Sequence, residues 1–121
     1  MCLSMLIAGS KITEGIGWKV FTKTEDGSLR SVVFHTLFVR GKTIVDTSER
    51  TLHSTLNEDY HSGFHIFLTR ESAREFKNSW KVTVESLRIH KVYFDNVQAV
   101  GYDQGRKVVV TKTMFITNTG G

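Results

Sequence analysis

Apolar residues recur at every second position through most of this chain, a period that belongs to strands rather than helices. In Gly17 to Thr24, GWKVFTKT, Trp18 and Val20 share one face. A tight turn at Asp26-Gly27 then leads into Leu29 to Val39, a long strand rich in Val and Phe. Arg40-Gly41-Lys42 turns the chain and Thr43 to Val45 begins another short strand. In the opening apolar run, Leu3, Met5 and Ile7 are spaced to pack as a first strand. Residues 47–62 are polar and irregular and read as a long loop, the kind that is often functional.

One segment breaks the period. Phe64 to Leu68 reads as a strand, after which Thr69 is placed to cap a helix and Glu71 to favour its dipole. The helix is expected over Arg70 to Asn78, with Ala73, Phe76 and Trp80 as its inner stripe. Four strands follow, at Lys81 to Leu87, Ile89 to Phe94, Val97 to Tyr102 and Lys107 to Thr117. Asp95-Asn96 and Asp103-Gln104-Gly105 are their turns. In the last strand Val108, Val110, Lys112, Met114 and Ile116 share one face, and Val109, Thr111, Thr113 and Phe115 the other. Asn118 to Gly121 look like a loose tail. The pattern implies an α+β fold, mainly antiparallel β, with a strongly curved sheet or partial barrel packed on one helix. Proline is absent, which argues against a flexible linker, so residues 1–121 are expected to form one domain. A small core and open sheet edges favour a homo-oligomer.

The net charge of +4 suggests anionic partners. Lys and Arg are spread along the chain rather than clustered, so DNA is not expected among them. The single cysteine, Cys2, permits no intramolecular disulfide and points to a reducing, cytoplasmic setting. The apolar run Leu3 to Ala8 has no preceding positive region and is too short to span a bilayer, so neither a signal peptide nor a membrane partner is expected.

The stretch YHSGFHIFL, residues 60–68, carries the most chemistry. His61 and His65 are four apart, which on a strand separates them by roughly 13 Å, too far for one metal ion. Phe64, Ile66 and Leu68 would face the core, with His65 and Phe67 opposite and His61 on the adjoining loop. That outer face is either a platform for a base or sugar or an ordinary half-exposed sheet surface. Cys2 could act as an N-terminal nucleophile, although a small buried residue is the commoner role. No nucleophile elbow, phosphate-binding loop or dinucleotide fingerprint is present. Glu25-Asp26 and Glu58-Asp59 lie in turn-like, solvated contexts. No catalytic residue, cofactor or metal is therefore assigned.

GWKVF, YHSGFHIFLTRESAREF, QAVGY and VVVTKTMFI together resemble a family of small phage and prophage proteins, over most of the chain. Such proteins include anti-defence factors, among them the Thoeris anti-defence sponges, compact oligomers that trap cyclic ADP-ribose-like signals. More locally, GFHIFLTRESAREF is similar to the strand and helix beside the NAD site of ADP-ribosyltransferases, with His65 where that family has tyrosine. GWKVF has no counterpart of that family's first-strand histidine, and VVVTKTMFI holds no glutamate. Those departures imply binding without chemistry.

The expected function is thus non-enzymatic capture of a small nucleotide or ADP-ribose-like signal, in an anti-defence role in the host cytoplasm. Arg30, Arg50, Arg74 and Arg106 would pair with phosphates, since the guanidinium fork suits them. Phe64, His65 and Trp80 would stack on or hydrogen-bond the base and ribose. One alternative is an inhibitor that binds a host defence protein, such as a CRISPR component, through an exposed apolar patch or edge strand. Another is an ADP-ribosyltransferase-like enzyme that uses NAD.

Overall fold

The computed structural model describes residues 3, 5–7, 11–23, 29–31, 37–38, 43–46, 51–53, 59–61, 63–79 and 87–120. In chain order the elements are β1 (Met5–Leu6), β2 (Gly15–Lys23), β3 (Leu29–Ser31), β4 (Leu37–Phe38), β5 (Thr43–Val45), β6 (Thr51–His53), β7 (Asp59–His61), β8 (Phe64–Phe67), α1 (Arg70–Ser79), β9 (Leu87–Asp103) and β10 (Arg106–Gly120). The fold is α+β and mainly antiparallel, with one helix among the described residues.

The β9–β10 hairpin organises the sheet. Gln104 and Gly105 both take positive φ, 50° and 83°, the backbone that lets a two-residue loop match the twist of its strands. From that turn β10 pairs with β9 on one side and β8 on the other, and β5 adds to its far end. β2 pairs with β9 over Gly15↔Phe94 to Thr22↔Leu87 and touches β8 at Trp18↔Phe67. The main sheet runs β1-β9-β10-β8-β2-β3-β4, and β6 and β7 form a separate ladder.

Both faces of the central strands are apolar. Phe21, Phe64, Ile66, Val92, Val109 and Met114 belong to one buried cluster. Val20, Phe67, Leu87, Ile89, Val108 and Val110 belong to the other, with Trp18 and the helix residues Ala73 and Phe76. The helix starts where expected: Thr69 Oγ1 accepts the Ser72 N–H at 3.1 Å. Ala73 is fully buried, and Phe76 stacks on Phe67 with ring centroids 5.3 Å apart. No helix among the described residues is long and apolar enough to cross a membrane.

Several expectations are corrected. Leu29 to Val39 is not one strand: β3 and β4 pair with each other, Leu29↔Phe38, so the chain doubles back within that run and β4 becomes the last strand on that side of the sheet. The polar stretch 47–62 contains β6 and β7, with Thr51↔His61 and His53↔Asp59 paired, and His61 is a strand residue. Ile89 to Phe94 and Val97 to Tyr102 are parts of the single strand β9, which also takes in Leu87. Asp95-Asn96 is no turn, although Asn96 keeps a φ of 53°. β10 continues to Gly120, which pairs with His90, where a tail was expected. Met5 lies in β1 but is exposed.

The faces of β10 also differ from strict alternation. Val110 pairs with Ala99 and Thr111 with Val97, so Gln98 is an extra residue and a bulge interrupts the ladder. Met114 and Ile116 consequently join the cluster of Val109, not that of Val108 and Val110. Cys2, the turns at Asp26-Gly27 and Arg40-Gly41-Lys42, and a strand over 81–86 lie outside the described residues.

Candidate functional site

In YHSGFHIFL the alternation expected of a half-exposed strand is absent: Phe64, His65, Ile66 and Phe67 are all buried. His65 lies in a polar network inside the fold. Its Nδ1 is 3.2 Å from the Gly63 carbonyl, which can only accept, so Nδ1 carries the proton. Its Nε2 then accepts from the Tyr60 hydroxyl at 3.3 Å, and that oxygen accepts the Leu3 N–H at 3.1 Å. Burial, reinforced by the charge of Lys19, lowers the His65 pKa to about 3. Lys19 donates its amine to the His65 carbonyl at 2.9 Å, and burial lowers its own pKa to about 8. This neutral imidazole ties β8 to β7 and to the N-terminal segment. It does not form an exposed pocket wall with Phe67, because both side chains are covered.

Arg106 is also internal, at 8% exposure. Its guanidinium sits 6.0 Å from the Phe67 ring centroid and 5.7 Å from that of Phe76. Nε donates to the Asp103 carbonyl and Nη2 to Gln104 Oε1, both at 3.3 Å, and the Asp103 carboxylate stands 3.7 Å away. Burial raises the Asp103 pKa and Arg106 opposes that rise. The arginine fork thus clasps its own hairpin to the helix.

Of the other residues expected at a site, the two with described side chains, Phe64 and Arg74, do not converge with these. Phe64 belongs to the cluster opposite Phe67, and Arg74 is exposed on the helix. Arg30 lies in β3, but its side chain is outside the described ones, and Arg50 and Trp80 lie outside the described residues altogether. Among the described residues no three His, Cys, Asp or Glu side chains gather to hold a metal ion.

What the structure does present is an open groove of about 410 Å³ on the outer side of β2, β9, β10 and β5. The helix explains its position. On β2, exposure increases from buried Val20 through half-buried Trp18 to Ile16 at 41%. On β9 it increases from buried Leu87 and Ile89 through Lys91 to Tyr93 at 46%. These residues alternate along one face, and α1 covers only its near half. On the bare half, Ile16, Tyr93, Phe115 and Thr43 pair in one row across four strands. Glu14, Asp95 and Thr113 line the groove beside them, and Val45 stands exposed opposite Thr113.

No protein-family model matches this chain, nor does any curated protein or solved structure. The groove therefore speaks through its own chemistry. None of its residues stood out in the sequence as a site. The signal was present in Tyr93 and Phe115, aromatics whose neighbours two positions away, Lys91, Asp95, Thr113 and Thr117, are polar, but their adjacency was concealed. Asp103 pairs with Arg106, and counting back from that turn would set Tyr93 against Ile116. The bulge at Gln98 moves it to Phe115.

Proposed function

We propose that this protein acts by non-enzymatic capture of a partner protein, through the bare half of the sheet face around Tyr93. The observation that carries this reading is the apolar row of exposed Ile16 and Tyr93 and half-buried Phe115, continuous with the core face but left uncovered by the helix. Contiguous apolar surface on a soluble domain is a common mark of an interaction site. Aromatic anchors carry much of the energy of such contacts. The resemblance to small phage proteins makes a host defence component in the cytoplasm the first partner to look for. The pairing circuit β2–β9–β10–β8–β2 supports a partial barrel as the rigid support of this face.

Capture of a small nucleotide, which the sequence favoured, requires cations at an open pocket. Arg106 is committed to Asp103 and the two phenylalanines, which weighs against that ligand. The test compares tagged wild-type protein with Tyr93→Ser in pull-downs from host lysate, alongside melting curves with linear and cyclic nucleotides. A stoichiometric protein retained by the wild type and lost by a normally folded Tyr93→Ser supports the reading. Equal retention by both, or a large stabilisation by a nucleotide that Tyr93→Ser leaves intact, overturns it.

A further inference from the structure

The charge around the groove runs against the charge of the chain. The protein carries +4 overall, yet the charged side chains that line the groove are two carboxylates, Glu14 and Asp95. Both are exposed and both stand at the end away from the helix. Gly15 pairs with Phe94, so Glu14 and Asp95 follow side by side on neighbouring segments of the sheet. Next to them Tyr93 and Phe115 lie with ring centroids 6.4 Å apart, tilted by 47°. Lys91 precedes Tyr93 on the same face, toward the helix and outside the groove's lining, so the positive charge lies on the side away from the carboxylates.

From this geometry we infer that the groove receives a basic segment of the partner protein, seating a Lys or Arg side chain with its stem on Tyr93 and Phe115 and its cation between Glu14 and Asp95. Long cationic side chains suit such a site because the stem is apolar and only the tip is charged. Aromatic faces attract the same cation, and two carboxylates on adjacent segments attract it further. The rest of the protein repels polycations, so attraction of a basic segment would be local to this face. The inference rests on the capture reading above and adds the chemistry of what is captured.

The test uses three fluorescent peptides of equal length that alternate leucine with arginine, with serine or with glutamate. Binding is followed by anisotropy at low and at physiological salt. The arginine peptide should bind most tightly, and more weakly as salt rises. The double variant Glu14→Gln/Asp95→Asn should lose about tenfold in affinity for it, in line with two exposed ion pairs, while melting as the wild type does. Tyr93→Ala should weaken the arginine and serine peptides alike. Equal binding of arginine and serine peptides, both dependent on Tyr93, would overturn the basic-segment inference and leave the apolar capture surface standing. Preference for the glutamate peptide, an unaffected double variant or no binding at all would also overturn the inference. So would sedimentation that shows the groove closed by a second copy of the chain and opened by Tyr93→Ala.

Discussion

Tyr93 and Phe115 are direct partners across β9 and β10, and they meet on the half of the sheet face that α1 does not reach. Tyr93 is nearly half exposed in that position. Replacing it with serine removes a cross-strand aromatic contact worth about 1 kcal/mol or less. Tyr93→Ser should therefore leave the urea midpoint almost unchanged while abolishing partner capture. A large loss of stability would mean that the ring belongs to the core.

Arg106 should behave in the opposite way. It is buried between Phe67 and Phe76, and its loss leaves the Asp103 carboxylate in a covered site without its cation. Arg106→Ala is expected to cost about 3 kcal/mol. Asp103→Ala in the same background should cost less than it does alone, because the two residues share one interaction. Strictly additive losses in a denaturation double-mutant cycle would rule out the pairing.

Acid should weaken the fold through His65. The ring stays neutral in the folded state down to about pH 3, whereas an ordinary histidine takes up a proton near 6.5. Below 6.5 the unfolded chain binds a proton that the folded chain refuses, so stability falls as pH drops from 6.5 toward 3. His65→Gln, with no titrating ring, should flatten the difference in unfolding free energy across that window. An identical acid slope in the variant would show that other groups cause it.

Gly17 is held by close approach between neighbouring strands. A Cβ there would stand 2.7 Å from the Phe67 carbonyl oxygen and would also strike Ile66. Since backbone cannot yield as a flexible side chain does, Gly17→Ala should cost about 1–3 kcal/mol, measured as a lower denaturant midpoint with unchanged slope. A neutral substitution would mean that β2 and β8 lie further apart.

The period of two, the Thr69 cap, the Asp103–Arg106 turn and the helix with Ala73 inward all follow from local chemistry, and all could be read from the residues in order. Alternation reports that one face of a strand is buried, not how far along the strand the cover extends. His65 and Phe67 looked like an outer face because nothing in YHSGFHIFL says that Tyr60 and α1 will close over it. Arg106 looked available because its partners Phe67 and Phe76 lie some thirty to forty residues earlier in the chain. The groove depends on two non-local facts: α1 stops short of Ile16 and Tyr93, and one extra residue at Gln98 shifts the register so that Tyr93 meets Phe115. Strand period is a property of the neighbouring residues. Register and cover are properties of the assembled sheet, where a single inserted residue changes which side chains share a surface.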